Sequence, residues 1–307
     1  MVSKMETWTL TDIPWERFEK SKVDSDILLV VKAASMVEYN ANDYSRYLTN
    51  VFADDYRFCL AITQWSAEEV QHGEALGRWA SLADPSFDFQ ASFKRFVDNF
   101  EFPLDVSVST RGSRAGELIA RCMVETGTNS FYSALADATR EPVLKAICRR
   151  IAEDEYAHYF LFQSYMKRYL KNEDLTLVEK LRVAFSRIAE TEDDELATAY
   201  WAANRPGEIF DRRLNSIAYA YATLKFYRAK HIAHGIKMIF GALGLNSSGI
   251  LGWFVIRVAG IFIWYRGRLC PRIKRGTVCL LTACGPLSNL IARYDPINGA
   301  NSSRTSR

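Results

Sequence analysis

Twice in this chain a glutamate precedes a histidine by three residues: Glu69 and His72 in "WSAEEVQHGEAL", and Glu155 and His158 in "IAEDEYAHYF". Each pair falls on an apolar stripe. The first stripe is Phe58, Ile62, Trp65, Glu69, His72, Leu76 and Trp79; the second is Leu144, Cys148, Ile151, Glu155, His158 and Phe162. These are the three- and four-residue steps of one helix face. A charge on such a face must be neutralised, paired or bound to a metal, because desolvating it alone is costly. For a single Glu-x-x-His, an ion pair near solvent would be explanation enough. Two further glutamates alter the balance: Glu38 interrupts the stripe Ile27, Val31, Ala34, Ala41, Leu48, and Glu125 interrupts Leu118, Cys122, Tyr132, Leu135. Four carboxylates brought together would repel and protonate, whereas two divalent cations would cancel their charge. With one imidazole per metal, such a set suits iron or manganese better than thiolate-seeking metals. The expected ligands are Glu38, Glu69, His72, Glu125, Glu155 and His158, and the expected cofactor is a pair of iron ions, with manganese as the alternative.

Helices must bring these six side chains to one height. The periodicity predicts helices over about 25–51, 55–82, 114–138 and 142–171, and more over 174–203 and 209–243. Glu38 and Glu69 are 31 residues apart and Glu125 and Glu155 are 30 apart, with a turn near each midpoint. About 14 residues up and 14 down, at ~1.5 Å each, return the chain to the same level. The expected fold is all-α: a ferritin-like four-helix bundle with one long crossover, through "FEFPLDVSVSTRGS", and additional C-terminal helices. The expected organisation is a lead-in over 1–24, the bundle over 25–172, helices packed on it over 173–245, and an apolar-basic tail over 246–307.

Three stretches carry a closer likeness. "WSAEEVQHGEALGRWASL" resembles the second bundle helix of the soluble acyl-carrier-protein desaturases, with their W-x-A-E-E-x-x-H-G pattern. "IAEDEYAH" resembles their I-A-x-D-E-x-x-H, and "ETGT" (125–128) resembles their Glu-x-x-Thr. The likeness covers about residues 25–170. It implies the six residues above as iron ligands, Thr128 beside the oxygen-binding face, and Asp154 behind the ligands, on a ligand imidazole. The chain departs from the family at Tyr159, where glutamate is common, and in its tail. For Thr128 the alternative is a hydroxyl bonded back to its own helix.

The implied activity is an O2-dependent di-iron oxidase or oxygenase, in the first place desaturation or hydroxylation of a carrier- or lipid-linked acyl chain. The alternatives are a ferroxidase or peroxide scavenger of the bacterioferritin or rubrerythrin kind, and an arylamine N-oxygenase. The roughly 100 residues beyond the bundle favour the first. The six cysteines include no C-x-x-C, which disfavours classical rubrerythrin and a zinc ribbon and fits a reducing compartment. No P-loop or G-x-G-x-x-G after a strand offers a nucleotide site, so electrons are expected from a separate donor such as a ferredoxin. Acyl-carrier protein and a second copy of the chain are further expected partners, and nucleic acid is not. His231 and His234 read as ordinary helix histidines without a nearby carboxylate, and the acidic run 189–197 as a solvated helix face.

The net charge of +3 conceals an asymmetry: residues 240–307 hold nine Lys/Arg against one acid, Asp295. Within them, "GILGWFVIRVAGIFIWYRGRLCPRIKR" (249–275) has a 17-residue apolar part interrupted by Arg257, at the lower limit of the ~17–25 residues a bilayer span requires. It suits an interfacial helix on an anionic membrane. The alternatives are burial against the bundle or at a dimer interface, and a span. With no signal peptide in the first 30 residues, the expected location is cytoplasmic, peripheral on the inner face of a membrane.

Overall fold

Helices begin here where side chains can take up the first unpaired backbone N–H groups. The computed structural model describes residues 8–101, 104, 106–190 and 194–269. Single 3-10 turns at Leu10–Asp12, Trp15–Arg17 and Lys20–Lys22 lead in. Helix α1 (Ser25–Tyr39) is capped by Asp24, whose carboxylate accepts from the N–H groups of Asp26 and Ile27. Helix α2 (Ala41–Val51) follows directly; Asp55 caps α3 (Tyr56–Ala83) and Asp88 caps α4 (Phe89–Val97). Ser113 caps α5 (Arg114–Ala138). Glu141 caps α6 (Pro142–Tyr169), whose first residue is a proline, placed where its missing N–H costs nothing. The remaining helices are α7 (Leu177–Ala189), α8 (Asp194–Asn204), α9 (Arg212–Leu224), α10 (Ala229–Leu243) and α11 (Ile250–Leu269).

The fold is all-α, with no strand among the described residues. One hairpin pairs α1 and α2 with α3, the other pairs α5 with α6, and α3 packs on α6. The crossover from α3 to α5 makes this the predicted bundle. Outside it, α8 covers α1, α7 and α10 cover α5, and α11 rests on α9 and α10. The core divides into two apolar clusters. Leu76 and Trp79 of α3 belong with Ile27, Val31, Leu135, Leu144 and Ile151 in one. Phe58, Ile62 and Trp65 of the same helix belong with Leu48, Leu118 and Phe162 in the other. Glu69 and His72 lie between the two in sequence, so a polar layer crosses the bundle between apolar halves.

Several predicted elements differ. The helix expected over 25–51 breaks at Asn40, where ψ is 9° and the N–H is shared between the carbonyls of Met36 and Val37. The long connection contains α4, and each of the helices expected over 174–203 and 209–243 is two. The acidic run is not simply solvated: Glu190 forms a two-point ion pair with Arg111, and Glu195 is buried against Tyr44. Residues 270–275 of the apolar-basic segment lie outside the described residues.

Candidate metal centre

Every one of the six predicted ligands is buried, and they fall into two overlapping groups. Glu38, Glu69, His72 and Glu155 each offer a donor atom, all within 4.8 Å of one another; so do Glu69, Glu125, Glu155 and His158. Glu69 and Glu155 belong to both. Glu38 and His72 flank one side, Glu125 and His158 the other. This is an arrangement for two cations sharing two carboxylates.

Close helix contact makes it possible. A Cβ on Gly73 would lie 2.5 Å from the backbone nitrogen of Tyr39, so glycine alone allows α3 to press on α1 at this level. The contact sets His72 Nδ1 4.0 Å from Glu38, 3.2 Å from Glu69 and 3.4 Å from Glu155. Likewise His158 Nδ1 stands 3.1 Å from Glu69 and 3.8 Å from Glu125.

Behind the ligands the two hairpins exchange supports. Asp154, next to Glu155 on α6, lies 2.9 Å from Nε2 of His72 on α3. Glu68, next to Glu69 on α3, lies 2.8 Å from Nε2 of His158 on α6. Asp154 Oδ2 also accepts from the indole N–H of Trp8 at 2.6 Å. A carboxylate accepting there keeps a proton on Nε2 and turns Nδ1 toward the cluster, where a bound cation would take its lone pair in place of a proton, the orientation metal-bound histidines take. Tyr132 donates to Glu38, and Arg121 donates to Glu125 at 2.7 Å. The Thr128 hydroxyl lies 3.3 Å from the carbonyls of Val124 and Glu125 on its own helix, and it also donates to Glu155.

The electrostatics are those of crowded buried acids. Burial and then the charges of Glu69 and Glu155 push the Glu38 carboxyl well above its usual range. Burial likewise raises Glu125, helped by Glu155 and Glu69 and opposed by Arg121. Burial opposes the charge on Glu69, yet His158 and His72 outweigh it and hold that carboxyl low. Both imidazoles stand well above their ordinary range: burial resists, but Asp154, Glu155 and Glu69 hold His72, and Glu68 and Glu69 hold His158. Positive charge is what the cluster demands.

The residues fit a metal pair on a second count. Glu155 Oε1 and His158 Nδ1 are buried without a well-formed hydrogen bond, the former 3.4 Å from His72 Nδ1 and the latter 3.1 Å from Glu69, a cost that coordination would remove. All-oxygen and imidazole donors suit iron or manganese.

Sequence reasoning singled out Asp154 but missed Glu68, Trp8, Arg121 and Tyr132. Glu68 had a signal: an acid immediately precedes the glutamate in both Glu-x-x-His pairs. Arg121 had one too, standing one turn before Glu125 on the same helix, and Tyr132 lies on the Glu125 stripe, whereas Trp8 comes from a segment with no local motif. His231 and His234 stand apart from the cluster as expected, although the fold gives His231 a carboxylate, Asp137, at 2.8 Å. A family model described as fatty acid desaturase matches residues 17–188, more than half of the chain. No curated protein matches it.

Proposed function

On the premise that this chain belongs to the fatty acid desaturase family, we propose that it is a di-iron oxidase that desaturates or hydroxylates a carrier- or lipid-linked acyl chain. The observation that carries this reading is the pair of nested carboxylate–imidazole groups sharing Glu69 and Glu155. Two ferrous ions held there would supply electrons for O2 activation and for attack on an unactivated C–H bond.

The protein's own groups have separable tasks. Glu69 and Glu155 would hold both cations, while Glu38 with His72 and Glu125 with His158 would each hold one. Asp154 and Glu68 keep the imidazoles turned with Nδ1 inward. Arg121 and Tyr132 steady the outer glutamates, and Thr128 holds Glu155 with a hydroxyl that can pass a proton into the layer. The apolar clusters on either side exclude water. Desaturation removes two of the four electrons that reduce O2 to water from the substrate, so an external donor, such as a ferredoxin, supplies two more.

The test is direct. Iron-loaded protein with a ferredoxin system, O2 and a panel of acyl-carrier-protein and phospholipid acyl chains should yield products lighter by two hydrogens or heavier by one oxygen, read by mass spectrometry. Rapid consumption of ferrous iron or peroxide with every acyl chain untouched would instead establish a ferroxidase or peroxide scavenger.

A further inference from the structure

Helix α11 wears its apolar residues on the outside. Around it, Gly252, Val255, Ile256, Ala259, Gly260 and Ile263 are buried or half-buried toward α9 and α10, and the opposite half is exposed. That exposed half carries Ile250, Leu251, Trp253, Phe254, Val258 and Ile261; Trp253 is 59 % exposed, Phe254 57 % and Ile261 68 %. Its charged residue is Arg257, which packs its guanidinium 5.1 Å from the Trp253 ring. A helix on the surface of a water-soluble body presents polar residues outward. This one presents a continuous hydrophobic ridge, the kind of patch that marks an interaction site.

Charge identifies what covers it. Between Asp211 and Asp295 the sequence has no acidic residue; Arg212, Lys225 and Lys230 pair with Asp194, Asp26 and Asp137 of other elements, while Arg213, Arg228, Lys237 and Arg257 add cations before and on α11, followed in sequence by Arg266, Arg268, Arg272, Lys274 and Arg275. A second copy of the chain laid on this ridge would bring like charges together. An anionic bilayer would meet apolar side chains with acyl chains and cations with phosphates. No helix among the described residues is long and apolar enough to cross a membrane. Beneath α11, a cleft of about 1140 Å³ opens between that helix and α9–α10, and Arg257 and Ile261 belong to both its wall and the exposed ridge. The ridge thus continues into an apolar recess.

We propose that the exposed face of α11 is an interfacial docking surface for anionic lipid bilayers. Trp253, Phe254 and Ile261 enter the headgroup–acyl boundary, and Arg257 pairs with phosphate. The proposal is independent of the metal centre, since none of its residues touches those ligands.

Co-sedimentation of the full chain with vesicles tests it. The protein should pellet with equimolar phosphatidylglycerol–phosphatidylcholine vesicles at low salt, and much less with phosphatidylcholine alone. Rising salt should release it, because screening weakens surface attraction. Phe254→Ser/Ile261→Ser should reduce binding roughly tenfold or more, and Arg257→Glu roughly fivefold at low salt. Ile209→Ser, which removes an apolar side chain 95 % exposed elsewhere, should leave binding unchanged. Circular dichroism and iron content should match wild type in every variant, which separates lost docking from lost fold. The proposal is overturned if the full chain stays in the supernatant with anionic vesicles at low salt, or if the double variant binds as well as wild type. It is equally overturned if the ridge proves to hold a dimer, seen in sedimentation velocity as a species that Phe254→Ser/Ile261→Ser abolishes while vesicles stay unbound.

Discussion

The six clustered side chains are not equivalent, and metal content should show it. Glu69 and Glu155 serve both groups and Glu38 serves one. Iron analysis of Glu69→Ala/Glu155→Ala should therefore find essentially none bound, whereas Glu38→Ala should retain about one ion per chain. Full loading of the double variant would dismiss the assignment. Asp154 and Glu68 act through the imidazoles they face, so Asp154→Asn and Glu68→Gln should each weaken iron binding by about 10–100-fold without unfolding the chain. Competition with a chelator of known affinity measures this, and unchanged affinity in both would mean that the carboxylates do not orient the rings. Glu141 shows the same logic away from metal. Fully buried, it accepts from the N–H groups of Glu19, Val143 and Leu144 and from the Trp79 indole. It ties the lead-in, α3 and the start of α6 to one carboxylate.

Between elements, a close glycine contact helps to assemble the site. Gly73 lets α3 meet α1 at Tyr39, so Gly73→Ala should separate the helices. We expect a loss of ~2–4 kcal/mol in chemical denaturation, in the range of a strained core, with lower iron content. Wild-type stability would show that the backbones can move apart freely. The same two helices are joined at their other end, where Lys32 of α1 donates to Asp84, the residue capping the end of α3, at 2.6 Å. That bond, with a second from Ser86, holds the Asp84 carboxyl down at about 2. A depressed carboxyl stabilises the fold fully above the unfolded value near 4 and loses that contribution as pH falls toward 2. Asp84→Asn should cost on the order of 1–2 kcal/mol at pH 7, and the gap in melting temperature from wild type should close between pH 4 and pH 2. A gap independent of pH would mean that packing, not charge, accounts for the loss.

Across the molecule, the bundle is sheathed by helices that the ligand pattern does not require. Helix α8 buries Ala197, Ala199, Ala202 and Ala203, and covers α1 where Val30, Ala33 and Ala34 are buried. Small side chains on both surfaces let the backbones come close, so Ala202→Leu should overpack the contact and cost about 1–3 kcal/mol, read as a lower denaturation midpoint. Helix α10 repeats the device on α5, where a Cβ on Gly235 would lie 2.8 Å from Ser130 Oγ. Helix α11 does not complete the sheath. It leaves its apolar half outward, so that a run of exposed apolar side chains from Ile250 to Phe262 shares one helix.

Helical periodicity made much of this legible in advance. A repeat of three and four residues places Glu69 with His72, and Glu155 with His158, on one face whatever surrounds them. Equal spacings on either side of a turn return Glu38 and Glu125 to the same height. The α5 bounds also follow locally, from the cap at Ser113 and the turn after Ala138. What spacing along a chain cannot carry is which helix faces which. The break at Asn40, the exchange of Asp154 and Glu68 between hairpins, and the arrival of Trp8 on Asp154 depend on contacts between residues far apart in sequence. The direction of α11's apolar half was open for the same reason. That helix is apolar almost all round, so no polar stripe marks its solvent side, and only its packing on α9 and α10 decided which half faces out.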